Sequence, residues 1–389
     1  MFLKKYKSLE YKHLHLWVPN LFECKGGIQV YLQNFLQVVT DEFPSLDIVV
    51  FDKLDRAKPK EIYTSENIFF FFSGSVPGLW QTLHFAVNVI IASLINRPTL
   101  ILCGHMNFAP VAFWIHRFLG IPYWILVYGI DALEIKDPLK KKALYAAKKI
   151  ISISEYTRDR LIHEQNLDPE KFSILPVTFD PNCFQIAPKP KYLLERYGLK
   201  PEQSVILTVA RLSATEQYKG YDTIIAALPE IKKFIQNVHY VLVGKGDDLP
   251  RIEELIAKLE LQNCVTLTGF VPDEELCDHY NLCDVFAMPS KQEGFSIVYL
   301  EALACGKATL AGNQDGATDA LCRGELGVLI DPEDTKAIAQ ALIQILQRTY
   351  PNPLLYQPEI LRQKVIERFG FQSFQKTLGN YLEKYLGLI

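Results

Sequence analysis

No CxxC pair, no DxD motif and no His/Cys cluster at ligand spacing occurs in this sequence. That leaves no signature for a structural zinc or for a cation held by paired aspartates. The eight cysteines, Cys24, Cys103, Cys183, Cys264, Cys277, Cys283, Cys305 and Cys322, are scattered, most of them in apolar runs. There cysteine acts as a small hydrophobe, so a reduced cytosolic protein is expected. Charge of one sign is scarce too. Residues 1–190 hold 21 Lys+Arg against 18 Asp+Glu, and the remainder holds 20 against 26. So weak a bias excludes nucleic acid as a partner, while the mildly basic first half suits peripheral contact with an anionic inner membrane face. The N-terminus, MFLKKYKSLEYKHLHLWV, lacks the apolar core and small-residue cleavage site of a secretory signal. A long uninterrupted apolar run is also missing. Val76 to Ile95 approaches spanning length, but Gln81, His84 and Asn88 break it and a strand-like run follows. A buried helix packed on a parallel sheet is expected, with lipid contact by its apolar face as the alternative.

At 389 residues, 49% hydrophobic and 22% charged, the chain is too long for one core and too apolar for a long disordered tail. Strand-like and helix-like segments alternate throughout. Strands are expected at His13–Val18, Asp47–Phe51, Asn67–Phe72, Thr99–Cys103, Tyr123–Val127 and Lys149–Ser152. After a proline-marked stretch from Pro176 to Pro201 the alternation resumes, with strands at Val205–Ala210, Val238–Val243, Cys264–Thr268, Val285–Met288, Ala308–Ala311 and Gly327–Leu329. No short repeat is visible. The order predicts an α/β protein of two doubly wound domains, residues 1–190 and 191–370, with a terminal helix over 371–389. That helix carries Phe374, Leu378, Leu382 and Leu386 on one stripe. Ligands of such sheets bind beyond the carboxyl ends of the strands, so the cleft between the domains is the expected site.

The most informative segment is KQEGFSIVYLEALACG, Lys291 to Gly306. Ser296 reads as an N-cap, Val298 to Ala304 as helix and Gly306 as its stop. Backbone N–H groups around Gly294, Phe295, Ser296 and Ile297 would then point from a positive helix end toward an anion such as phosphate. Glu293 and Glu301 stand on either side, able to accept from sugar hydroxyls. Arg211 follows a strand and Lys219 precedes a helix, so two cations can face the same crevice. Next comes Gly244-Lys245-Gly246, a lone GxG. A dinucleotide fingerprint needs a third glycine, where Leu249 stands, and a place in the first βα turn; both are missing, which counts against a nicotinamide cofactor.

Four segments carry a resemblance: VARLSATEQYKGYDTIIAAL, VGKGDDLPRIEELIAKL, LTGFVPDEELCDHYNLCDVFAMPS and EGFSIVYLEALACGKATLAGNQDGATDAL. In this order they resemble the family-4 retaining glycosyltransferases, of GT-B fold with two facing Rossmann-like domains. The last segment is the most specific, since the family's two glutamates, with seven residues between them, fall on Glu293 and Glu301. The resemblance implies that Arg211 and Lys219 bind the donor diphosphate, Glu293 the transferred sugar and Glu301 the ribose. Gly294 to Ile297 would hold phosphate or sugar, with Gly244 nearby. Phe270 and Val271 would lie beside the base. Gly26 and Gly27 would let the first-domain loop approach donor and acceptor, and the terminal helix would cross back to the first domain.

The resemblance is looser in that first domain, where a GG loop, HMNFAP and YGID match. Many relatives carry a histidine where this chain has Tyr128, a poor base near neutral pH. His105 and Asp131 are the nearest substitutes; His105 is equally compatible with a structural role, and for Asp131 a turn residue or helix cap is the first reading, ahead of acceptor activation. The ATEQY stretch is an insert that only some relatives share. The implied activity is retaining, metal-independent hexosyl transfer in polysaccharide or glycoconjugate synthesis. The donor would be a nucleotide-diphospho-sugar, UDP slightly before GDP or ADP, with no cofactor. The acceptor would be a hydroxyl on a glycan, a lipid-linked sugar or a small molecule. A nucleotide-sugar-binding subunit and a GT-B epimerase are the alternatives.

Overall fold

A computed structural model describes residues 12–24, 26–59, 67–132 and 134–387. The basic N-terminal segment, through residue 11, lies outside them. The chain forms two compact units: one runs to Pro176 and resumes at Phe374, the other is Val177–Ser373. Residues 177–190 therefore group with the second unit, through contacts such as Lys189 with Asp284 and the Ala187 N–H with Asn281.

Seven parallel strands build the first unit's sheet: β1 (His13–Val18), β2 (Asp47–Asp52), β3 (Ile68–Phe72), β4 (Leu100–Cys103), β5 (Tyr123–Val127), β6 (Lys149–Ser152) and β7 (Phe172–Ile174). Their order is β3-β2-β1-β4-β5-β6-β7, with Leu14 level with both Ile48 and Leu100. The second unit holds β8 (Ser204–Val209), β9 (Val238–Val243), β10 (Val265–Gly269), β11 (Val285–Met288), β12 (Ala308–Gly312) and β13 (Val328–Ile330), ordered β10-β9-β8-β11-β12-β13. The strand pairs are parallel; β1, β4 and β11 are buried along their whole length and β8 everywhere but at its two ends, because helices cover both faces. Strand order reverses between β1 and β4 and again between β8 and β11. Loops leaving adjacent strands at such a reversal diverge and open a crevice.

Among the described residues, twelve of the thirteen strands lie where alternation places them. The exception is β7, three residues at a sheet edge just before Pro176, too short for a periodic signal. The terminal helix spans Phe371–Leu386 and buries Phe374, Leu378, Leu382 and Leu386. Within the first unit Phe374 meets Tyr31 edge-on and Tyr385 meets Trp124.

The helix Gly78–Asn96 departs from expectation. Phe85, Val89 and Ala92 pack into the core, but the opposite face is exposed, with Trp80 at 68% and Leu94 at 54%. Apolar residues flank the Gln81, His84 and Asn88 stripe on both sides, so periodicity does not tell burial of one side from burial of both. Among the described residues no helix is long and apolar enough to cross a membrane.

Candidate functional site

In the second unit the β8–β11 reversal decides which groups meet. The loop after β8 and the loop after β11 join backbone to backbone, the Lys291 N–H donating to Tyr218 O at 3.0 Å. Gly220, at φ +75°, lies so close to Pro289 that a β-carbon there would sit 2.3 Å from its carbonyl oxygen. Only glycine permits that approach. It brings Lys219 Nζ to 2.6 Å from Glu293 Oε1, both side chains 13% exposed. Burial disfavours the ammonium, but the Glu293 charge and hydrogen bond outweigh it and hold the Lys219 pKa above its ordinary value. Lys219 also stands over the Tyr218 ring.

Arg211 ends up differently. It is 67% exposed and reaches Glu216 at 3.1 Å, while the other Glu216 oxygen lies 3.6 Å from Lys219. Glu216, inside the stretch read only as an insert, thus bridges the two cations. An exposed pair of this kind is worth about 0–1 kcal/mol, so Arg211 is free to exchange this carboxylate for a better anion.

The helix itself spans Ile297–Ala304, placing Glu301 in its second turn, 8% exposed, with Oε2 accepting from the Tyr280 hydroxyl at 2.6 Å. Gly306, at φ +68°, ends it as expected. The N-terminus differs. Ser296 occupies the cap position at φ +66° and makes no side-chain cap. A left-handed serine is strained by about 1–3 kcal/mol, and strain of that kind clusters at functional sites. The first-turn N–H groups are consequently left without a side-chain cap. Phe295 anchors the loop by packing edge-on against Phe369.

Asp315, missed at the sequence level, holds this loop in place. It is fully buried and accepts from the Ser290 hydroxyl (2.7 Å), the Glu293 N–H (2.8 Å) and the Ala317 N–H (2.9 Å). Burial pushes its carboxyl up to about 6, against the pull of those donors. Gly316 packs beneath, where a β-carbon would fall 2.0 Å from Gly294 O. The remaining positions are plainer. Gly244 is demanded by the backbone, since a β-carbon there would sit 1.8 Å from Ala210 O. Phe270 is 65% exposed at the end of β10, Val271 beside it, with Lys245 Nζ 4.8 Å from the ring centre.

In the first unit the helix Gly27–Glu42 starts after Gly26 with no side-chain cap. Its entry loop is held by buried Asp55, which accepts from the N–H groups of Leu21 (2.6 Å), Phe22 (2.7 Å) and Glu23 (3.1 Å). Asp52 supports Asp55 through its N–H, and burial together with the Asp55 side chain raises Asp52 to about 8. Neither aspartate was foreseen. His105 follows β4 and accepts the Asn107 N–H at Nδ1, its pKa lowered by burial and by Lys140 and Lys53. The Tyr128 hydroxyl donates to Gly104 O at 3.1 Å, and burial raises its pKa further. Asp131 caps the turn by accepting the Tyr128 N–H at 2.8 Å. Its other oxygen is buried without a hydrogen-bond partner, and burial lifts its carboxyl to about 6.

Among the described residues no group of three or more His, Cys, Asp or Glu is placed to hold a metal ion.

A family model described as glycosyl transferases group 1 matches residues 193–364. Over 208 residues the chain is 33% identical to a GDP-mannose-dependent alpha-(1-6)-phosphatidylinositol monomannoside mannosyltransferase of Mycolicibacterium smegmatis, covering 51% of this chain and 53% of that one. The chain thus spans about half the length of the curated mannosyltransferases it matches. A D-inositol 3-phosphate glycosyltransferase of Segniliparus rotundus is 26% identical over 369 residues, 86% of this chain and 81% of that one. Among solved structures, Anabaena HepE in complex with UDP gives a TM-score of 0.77 at 20% identity, covering 96% of this chain and 100% of that one. Sucrose-phosphate synthase of Thermosynechococcus elongatus gives 0.78 at 18%, covering 97% and 100%. Likeness at that identity concerns the fold, an α/β architecture of the GT-B kind.

Proposed function

We propose, from the match of residues 193–364 to the glycosyl transferases group 1, that the chain belongs to that group and transfers a hexosyl unit from a nucleotide-diphospho-sugar to a hydroxyl acceptor. One observation carries the reading. The buried Lys219–Glu293 pair, with Arg211 near it through Glu216, belongs to the loops beside a helix start that has no side-chain cap. Lys219, Arg211 and the N–H groups of Ser296 and Ile297 supply positive charge for a diphosphate, and that charge stabilises the leaving group as it departs. Glu293 accepts from the sugar hydroxyls. Glu301, held by Tyr280, accepts from the ribose, and exposed Phe270 offers a face to the base.

Transfer proceeds with retention and without metal or other cofactor, because these fixed cations do the electrostatic task. UDP-sugars are the first donors to try. The acceptor is a glycan, a lipid-linked sugar or a small molecule, and the reaction is cytoplasmic. The first unit's His105, Tyr128 and Asp131 belong to the acceptor side of this reading.

The test is nucleotide release from UDP-, GDP- and ADP-sugars, with and without EDTA. Product anomers are followed by proton NMR. Retained configuration, unaffected by EDTA, is expected; inversion or an EDTA-abolished rate contradicts the mechanism. Because the Tyr128 hydroxyl is committed to Gly104, a second reading is a nucleotide-sugar-binding module. Donor binding with no turnover across an acceptor panel would favour it.

A further inference from the structure

The exposed face of the first unit carries a second inference, independent of the donor site. Helix Gly78–Asn96 contains no charged residue. It turns Trp80, Leu83, Val87, Ile90 and Leu94 outward, each between 40% and 68% exposed. Their spacing of three, four, three and four residues makes one continuous stripe. The next helix, Ala109–Leu119, packs against it and adds Trp114 and Phe118, stacked at 5.7 Å and 47% and 77% exposed. Scattered apolar residues on a surface are ordinary, but a contiguous stripe of this size marks an interaction site.

Charge identifies the occupant. Between Glu66 and Asp131 the chain has no aspartate or glutamate at all. Exposed Arg97 and Arg117 stand at the ends of the two helices. A third helix, Pro138–Ala146, packs against the second and brings Lys141 and Lys142, with exposed Lys148 just beyond it. The nearest carboxylates in sequence are engaged: Glu134 pairs with Lys136, and Asp137 caps the third helix. An apolar floor carrying indoles, with Arg97, Arg117, Lys142 and Lys148 exposed at the helix ends, matches the interface of an anionic bilayer, where aromatic rings sit at headgroup level and basic side chains reach the phosphates. A second copy of this chain fits poorly, because a symmetric contact would press the two cationic rims together.

We propose that the first unit docks on anionic lipid through this face, lying on the surface without crossing it. The test is co-sedimentation of the full chain with phosphatidylcholine vesicles, with and without phosphatidylglycerol. Binding that needs phosphatidylglycerol and weakens as salt rises is expected. The double substitution Leu83→Asp with Ile90→Asp should lower the partition coefficient at least about tenfold. Lys142→Gln and Lys148→Gln should each lower it roughly fivefold. Both sets alter exposed side chains, so circular dichroism and melting temperature should match the parent. The proposal is overturned if the folded protein ignores both vesicles, if it binds neutral and anionic vesicles equally, or if the apolar face instead drives dimerisation in ultracentrifugation. Vesicle binding by a protein that responds to no nucleotide-sugar would sink the transferase reading and leave this one standing.

Discussion

The two units solve one structural problem in the same way and then diverge. Each presents a helix start with no side-chain cap, Gly26 before one and Ser296 before the other. Each holds the loop leading to that start with a buried aspartate, Asp55 taking three N–H groups and Asp315 two with a hydroxyl. The second unit then adds charge, a buried Lys219–Glu293 pair and an exposed Arg211. The polar groups singled out in the first unit are instead tied to the backbone: Tyr128 to Gly104, Asp131 to Tyr128 and His105 to Asn107. A helix start without a side-chain cap is thus shared by the two units, and on the proposed reading the charges placed around one of them make it an anion site.

Breaking that difference should have the largest effect. Lys219→Ala removes the central cation, and turnover of the proposed donor should fall by about 10²–10³ in steady-state assays. It also strands Glu293 in a buried site, at about 3–5 kcal/mol of stability by chemical denaturation. Paired substitutions of the loop-holding aspartates sharpen the comparison. Asp315→Ala and Asp55→Ala should each destabilise by about 1–3 kcal/mol per N–H left unpaired. Only Asp315→Ala should also weaken nucleotide-sugar binding in calorimetry; equal weakening by Asp55→Ala would erase the distinction between the units.

A third prediction concerns pH. The Asp52 carboxyl, raised to about 8, binds its proton more tightly in the folded state than in the unfolded one. Stability should therefore decline as pH rises from about 4 to about 8. Asp52→Asn keeps the acceptor for the Leu54 and Asp55 N–H groups and should melt higher than the parent at pH 9, with little difference at pH 4. The smallest effect is at Glu216. Glu216→Gln frees Arg211 and Lys219 from a competing carboxylate and should tighten donor binding by roughly threefold, in line with an exposed pair's worth.

Legibility from the sequence followed locality. The placement of Arg211, Lys219, Glu293 and Glu301 was legible because a strand end, a helix start and a fixed spacing set each of them within its own segment. Asp315 was not, because an aspartate before a glycine reads as a turn residue, and its task is to serve a loop 22 to 25 residues away. Glu216 was hidden in a loop whose length alone carried a signal. Asp52 and Asp55 act across strands, where alternation registers only whether a position is apolar. The outward face of helix Gly78–Asn96 was illegible for the opposite reason, apolar residues on both sides of its one polar stripe.

The central claim is that the second unit's bare helix end and its cations form a nucleotide-sugar site. Its most direct test is the melting temperature of the parent and of Lys219→Ala, each measured against UDP-, GDP- and ADP-sugars. With donor at about a hundredfold its dissociation constant, binding adds roughly 2.7 kcal/mol, several degrees for a unit of this size. The account predicts that rise for at least one donor in the parent and its loss in Lys219→Ala. A parent that responds to none of them, or a variant that responds equally, would contradict it.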